Sequence, residues 1–239
     1  QIKSDGFFIQ KKGLSLKSAI GGLTFGIDQG DFQAHNIRIE DHRMIFDMLY
    51  PGGEVKDIPM RIPGFHNIEN ALAAAALAMQ VGVSGEEIKA GIASFLGVKR
   101  RFEYQVESDE HVMIDDYAHH PTEIAACLNS VKALYPGEKI TAVFQPHLFS
   151  RTRDFIDDFA KSLAIADELY LLDIYPAREL PMEGVTSDWL LNKIELKEKQ
   201  VISKKDLLRV IDEKKPALLV KMGAGDIDLL LNDLKLSLS

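Results

Sequence analysis

The sequence predicts an α/β protein in two parts. An antiparallel β-meander with two helices occupies residues 1–98, and a mostly parallel, doubly wound sheet occupies residues 99–239. Three observations predict it. Short apolar runs separated by turn residues crowd residues 7–62, the spacing of hairpin-linked strands. Two amphipathic segments with cap signals follow. Beyond Gly97, strand-like segments alternate with amphipathic helices, the pattern of βαβ units.

In the first part, residues 31–39, 44–50 and 55–62 read as strands, with turns at residues 40–42 and at Pro51, Gly52 and Gly53. Asn67 is expected to cap a helix running to about Gln80, with Ile68, Leu72, Ala75 and Met79 on one stripe. Ser84 with Glu87 three residues on is a capping box, so a second helix is expected from Gly85 to about Leu96, stopped by Gly97. In the second part, strands are expected near residues 112–114, 140–144, 169–174 and 217–221, with a weaker one at 200–202. Helices are expected near residues 121–134, 151–165, 187–194, 205–212 and 226–234. Ligands of such sheets bind beyond the carboxyl ends of the strands. The polar clusters at residues 115–120, 145–153, 175–179 and 223–226 all fall there.

Bulk properties narrow the function. The chain has 239 residues, 46% apolar and 27% charged, which suits one large or two ordinary globular domains. A net charge of −8 argues against a polynucleotide partner. The single cysteine, Cys127, makes no internal disulfide and lies on an apolar stripe with Ile124, Leu128 and Val131, as a small core residue would. No apolar run approaches the roughly 20 residues that span a bilayer, and no signal peptide opens the chain, so a cytoplasmic location without membrane contact is the expectation. The chain opens on Gln1, not Met, and is expected to be a piece of a longer protein.

Five clusters carry chemistry, each with a plainer reading beside it. In DDYAHHPT, residues 115–122, two acids, a tyrosine and two imidazoles sit between a strand and a helix. An aspartate that ends the strand and a His120 cap explain part of that run, but a ligand site explains all of it. In FQPHLFSRTRD, residues 144–154, His147 follows a strand, and Ser150 or Thr152 is expected to cap the next helix. Arg151 and Arg153 then fall in the first turn, where the helix dipole disfavours cations. Either they pair with Asp154 or Asp157, or they complete an anion site. HNIEN, residues 66–70, is a helix start with two asparagines. The run Lys99, Arg100, Arg101 is either solvated or aimed at a phosphate. GAGD, residues 223–226, permits a close backbone approach or simply a tight turn.

Taken in this order, HNIEN, GVKRRFE, DDYAHHPTE, FQPHLFSRTRD, DIYPARE and GAGDI resemble the Mur ligase family, over residues 36–227. The resemblance is strongest to members that join L-alanine to UDP-N-acetylmuramate. It implies the second half of a central, ATP-binding domain over residues 1–98 and a Rossmann-like C-terminal domain over residues 99–239. By position, it places His66, Asn67 and Asn70 near the nucleotide, Arg101 on the ATP phosphates and Asp116 on the nucleotide. Tyr117, His119, His147 and Arg151 face the amino acid and the muramoyl carboxylate, with Arg101, Asp116 and His147 at the catalytic centre. Leu148 departs from relatives that carry a polar or basic residue there. The implied chemistry passes through an acyl phosphate, with ATP and Mg2+.

No G-x-x-x-x-G-K-[ST] phosphate loop occurs in these residues. The family carries that loop, and its magnesium ligands, upstream, so this chain is expected to be inactive alone. It is also expected to self-associate through an open sheet edge within residues 7–62. Two other readings stay open. One is the related ligase that attaches a recycled tripeptide. The other is a non-catalytic nucleotide- or sugar-binding module.

Overall fold

The computed structural model describes residues 6–14 and 22–239 of the chain. The stretch 15–21 of the expected β region lies outside the described residues. The chain divides into two compact units, Gln1–Gly97 and Val98–Ser239.

The first unit holds strands β1 (Ile9–Lys11), β2 (Leu23–Ile27), β3 (Phe32–Glu40), β4 (Arg43–Tyr50) and β5 (Gly53–Met60), paired in that order. The pairs β3–β4 and β4–β5 are antiparallel, as a meander requires. The pairs β1–β2 and β2–β3 are parallel, which corrects the all-antiparallel expectation. For β2 and β3 the reason is local. Asp28 and Gly30 take positive φ values of 54° and 99°. The Asp31 carboxylate accepts from both the N–H and the hydroxyl of Thr24 at 2.8 Å, which folds residues 28–31 into a tight loop.

Asp47 organises the meander. It is 6% exposed on β4, and its oxygens accept from the Asn36 amide at 2.9 Å and from the Asp57 N–H at 2.8 Å. Asn36 and Asp57 have φ values of 49° and 54° and stand where the registers of β3–β4 and β4–β5 slip. One buried anion therefore pins two bulges. Burial alone would raise its pKa. The Asp57 N–H, the Asn36 amide and Arg38 outweigh that and hold it below the ordinary value.

Helix α1 (Phe65–Met79) lies on β1, β2 and β3 and buries Ile68, Leu72, Ala75 and Ala76. Its N-cap is Gly64, not Asn67. Gly64 has φ 111°, a backbone conformation that strains any residue with a side chain. Asn67 stands inside the first turn and donates backwards to the Pro63 carbonyl at 2.8 Å. Helix α2 (Gly85–Ser94) begins with the full Ser84–Glu87 capping box and ends at Ser94, short of Leu96.

The second unit is a six-stranded sheet: β6 (Glu103–Glu107), β7 (Val112–Asp116), β8 (Ile140–Phe144), β9 (Glu168–Leu171), β10 (Glu198–Val201) and β11 (Leu218–Met222). Their order across the sheet is β10-β9-β8-β11-β7-β6. All neighbours are parallel except β6, an antiparallel edge strand beside β7 that the sequence pattern did not reveal. Every residue of β8, β9 and β11 is buried, as central parallel strands covered on both faces must be.

Helices α3 (Pro121–Leu134), α5 (Ile156–Leu163) and α6 (Ser187–Lys193) pack side by side. Phe144 meets Phe159 of this layer at 5.7 Å between ring centroids. Helix α7 (Lys204–Lys214), a 3₁₀ turn (Asp226–Leu230) and α8 (Leu231–Ser237) form the other layer. They close a core of Met113, Val143, Tyr170, Leu207, Leu219 and Leu234. The single helix expected at residues 151–165 is two, because Phe155 leaves helical geometry (φ −117°, ψ 24°) between α4 (Phe149–Asp154) and α5. No helix among the described residues is long and apolar enough to cross a membrane.

Asp47→Ala should lower stability by roughly 1–3 kcal/mol, the loss expected when buried donors lose their acceptor. Urea unfolding followed by circular dichroism measures it. An unchanged midpoint would contradict the pinning role.

Candidate functional site

The chain runs from β7 to β8 to β9 to β10 and then returns to insert β11 between β8 and β7. The helices after β7 and β8 lie in one layer and those after β11 in the other. That reversal creates a switch point, where open α/β sheets bind ligands at the carboxyl ends. Residues 115–120, 145–151 and 223–228 converge there.

Asp116 ends β7. Its carboxylate turns into the loop and accepts from the Phe102 N–H at 2.9 Å and the Ala118 N–H at 2.7 Å. Burial raises its pKa in spite of those two donors. Tyr117 is 42% exposed, and its ring meets the His119 ring edge-on at 5.1 Å. The His119 Nδ1 lies 2.9 Å from the Tyr117 carbonyl oxygen, which only accepts, so Nδ1 carries the proton. His120 is the N-cap of α3: its ring accepts from the Thr122 N–H, and Glu123 accepts from the N–H groups of His119 and His120. Its ring rests on Phe155 at 4.8 Å, away from the other histidines.

His147 follows β8. Its ring stacks on Tyr175 at 5.6 Å and stands 6.2 Å from the His119 ring. Arg151 Nη1 lies 3.5 Å from His147 Nδ1. Burial first, then the charges of Arg151 and His119, lower the His147 pKa. Leu148 has φ 74°, a conformation of order 1–3 kcal/mol above the allowed regions for a bulky residue. Hydrogen bonds on both sides hold it. Its N–H donates to the Tyr175 carbonyl at 3.0 Å, and its carbonyl accepts from the Thr152 N–H and hydroxyl.

Neither Ser150 nor Thr152 caps α4, because the helix starts at Phe149. The Glu179 carboxylate does that work from a distant loop, accepting from the Ser150 N–H at 2.9 Å and from its hydroxyl. These donors hold Glu179 below its ordinary pKa. Arg153 pairs with Asp154 at 2.7 Å on the surface, while Arg151 turns to His147. The surface-pair reading therefore holds for Arg153 alone.

The glycines of the GAGD turn face the protein. A Cβ on Gly225 would lie 2.5 Å from Gln145 Oε1 and 2.7 Å from the Tyr175 Cβ. Gln145 in turn donates to Asp226 at 2.8 Å and accepts from the Ile227 N–H at 2.8 Å. Burial raises and Lys204 and Gln145 lower the Asp226 pKa, and the lowering wins.

The structure thus brings Tyr117, His119, His147 and Arg151 together, with Asp116 beneath them. Arg101 is exposed, and among the described residues no ion pair holds its guanidinium. His66, Asn67 and Asn70 occupy the first turns of α1 in the other unit, where Asn70 Nδ2 lies 3.5 Å from Asn67 Oδ1. Arg100, Tyr175 and Glu179, which lie in the expected clusters without an assigned role, also stand here, and so do Lys221 and Asp228, which the expectation did not name. Lys221 had a signal, because a lone lysine inside the apolar run LLVKM needs a buried partner. That partner is Asp115, 2.7 Å away, and both side chains are fully buried.

His35, Asp47 and Glu54 also bring one possible metal-ligand atom each within 4.8 Å of one another. The Asp47 oxygens already serve Asn36 and Asp57, His35 Nε2 lies 3.1 Å from Glu54, and Arg38 and Lys56 stand beside the acids. Charge there is balanced within the chain.

A doubly wound, mostly parallel sheet with helices on both faces defines the second unit as a Rossmann-like α/β domain. The chain belongs to the Mur ligase family: residues 100–230 match its "Mur ligase, glutamate ligase domain" and residues 9–78 its "Mur ligase middle domain". It is 48% identical over 227 residues to the UDP-N-acetylmuramate–L-alanine ligase of Christiangramia forsetii, covering 95% of this chain and 50% of that relative. It is 53% identical over 216 residues to the same-named protein of Flavobacterium psychrophilum, covering 90% and 47%. The chain therefore spans about half the length of these curated relatives.

Among solved structures, the UDP-N-acetylmuramate-alanine ligase of Thermotoga maritima superposes with a TM-score of 0.76 at 27% identity, over 95% of this chain and 50% of that one. A murein peptide ligase from Psychrobacter arcticus superposes with a TM-score of 0.56 at 25% identity, over 91% and 46%.

In a proton NMR titration, His147 should titrate below the ordinary histidine value of 6.5. A folded-state pKa below the unfolded one means that protonation opposes folding. The stability His147 contributes is then present above about 6.5 and is lost as pH falls below it. A midpoint at or above 6.5 would contradict the burial argument.

Proposed function

We propose that this chain provides the acceptor-side part of an ATP-dependent ligase that joins L-alanine to UDP-N-acetylmuramate. The observation that carries the reading is the convergence of Tyr117, His119, His147 and Arg151 on one exposed cluster at the switch point. The names of the curated relatives support it, and so does the larger TM-score to the alanine ligase than to the murein peptide ligase.

The cluster suits a small zwitterion. Arg151 offers a permanent cation to the amino acid carboxylate, and the His119 and His147 rings offer further donors. Burial and the Arg151 charge lower the His147 pKa and so favour its neutral form. Neutral His147 is suited to accept a proton from the attacking amine. ATP transfers its γ-phosphoryl group to the muramoyl carboxylate, giving an acyl phosphate and ADP; the amine attacks the acyl carbon and gives up a proton, and inorganic phosphate leaves as the C–O bond breaks and the amide forms. Arg101, exposed and held by no ion pair among the described residues, is assigned to the phosphate charge. Asp116 keeps a lone pair on each oxygen for the nucleotide while it holds the turn. His66, Asn67 and Asn70 are assigned to the nucleotide from the first unit.

The family implies Mg2+. Four carboxylates around the cluster do not fit it: Asp115 is held by Lys221, Asp116 by two N–H groups, Asp226 by Lys204 and Gln145, and Glu179 by Ser150. No step is assigned to a metal here.

The test is a chimera in which this chain follows the matching upstream half of the Christiangramia forsetii relative. Phosphate release should depend on L-alanine and not on tripeptide, and the chain alone should release none. Arg101→Ala should lower turnover by roughly a hundredfold or more with the fold intact. Tripeptide preference, activity of the chain alone, or near-normal turnover of Arg101→Ala would each overturn a named part of the reading.

A further inference from the structure

Arg100, the neighbour of Arg101, points the other way. Its Nη2 donates to the Gly223 carbonyl at 2.6 Å. Its Nε lies 3.3 Å from Asp228 and 3.6 Å from Asp115. The guanidinium carbon stands 4.9 Å from the Tyr117 ring centroid, over the ring face. The main chain repeats the link, because the Tyr117 N–H donates to the Arg100 carbonyl at 2.7 Å and the Arg100 N–H donates to Glu103 at 2.8 Å. Arg100 does this from a φ of 59°. A non-glycine residue stays in that region only when its surroundings over-determine it.

The group around it is balanced. Arg100 and Lys221 face Asp115 and Asp228, two cations against two anions. These four side chains come from the loop before β6, the end of β7, the end of β11 and the 3₁₀ turn. Arg100 alone also touches Tyr117.

We propose that Arg100 is a positioning residue that fixes the Tyr117 ring and the Gly223 turn against the buried Asp115–Lys221 pair, and so sets the geometry of the acceptor cluster. The inference rests on the reading that Tyr117 faces the acceptor amino acid. A planar guanidinium suits this role, because one edge serves Gly223 and the acids while its face covers the ring, which an ammonium does not do.

Charge balance is the competing explanation, and a paired variant separates the two. Arg100→Met leaves the group with an excess negative charge, and Asp228→Asn added to it restores neutrality. In the double variant, urea stability should recover. The KM for L-alanine in the chimera should stay raised by roughly tenfold with kcat within about threefold, as a misplaced binding group requires. In the 239-residue chain by itself, amide exchange of the peptide spanning residues 115–119 should run roughly tenfold faster with the double substitution than without it.

A double variant with recovered stability, ordinary alanine KM and ordinary exchange would show that Arg100 only balances charge, and would overturn the proposal. Unchanged exchange alone would also overturn it. If exchange rises but the parent chimera does not use alanine, Arg100 still positions the turn and only the alanine reading falls.

Discussion

Lys221 lies in the central strand β11 with no exposure, and its ammonium is 2.7 Å from the equally buried Asp115 on the adjoining strand β7. The two face each other directly in the parallel register. Burial pushes the Asp115 pKa up and the Lys221 pKa down, each towards the uncharged form. Taking such ions out of water costs several kcal/mol apiece, and only close pairing with further polar partners offsets it. Arg100 and Asp228 are those partners. What the pair contributes is therefore less net stability than placement. The end of β7, the end of β11 and the loop before β6 are constrained to one another, because parting them strands a charge in a dry sheet.

That constraint falls at the topological switch point of the sheet. The acids nearest it are spent on internal partners: Asp115 on Lys221, Asp116 on backbone N–H groups, Asp226 on Lys204 and Gln145, Glu179 on Ser150. Arg151 and the imidazoles of His119 and His147 remain beside the exposed Tyr117. With those anions held inside the protein, the charge left beside Tyr117 is that of Arg151. The strained Leu148 backbone is part of the same arrangement, since it sets His147 against Tyr175 and starts α4 where Arg151 can reach back.

Much of this was legible where the signal is local. Helix α3 begins at Pro121 with His120 as its cap, and Ser84 with Glu87 opens α2, because caps are read over four residues. The run DDYAHHPT was legible as a polar cluster at the end of a strand, because so many polar rings after one strand exceed what a turn needs. The rest depended on distant residues. Nothing near Ser150 announces that Glu179 will cap α4. Nothing in Lys99, Arg100 and Arg101 says which one turns inward; the Tyr117 ring and the Gly223 carbonyl decide it. Asn67 looked like a cap, but a positive φ at Gly64 starts α1 three residues earlier. Strands β2 and β3 run parallel because a loop at residues 28–31, locked by Asp31 on Thr24, reverses the usual hairpin logic.

The claim that the buried pair organises the sheet end is tested most directly by a double-mutant cycle of Asp115→Asn and Lys221→Met, read by urea unfolding of the chain. Each single variant strands a charge and should lose roughly 3–5 kcal/mol. The double variant should lose less than the sum by roughly 2–3 kcal/mol. Losses that add to within about 0.5 kcal/mol would show that the two side chains act independently, and the account of the sheet end would fail.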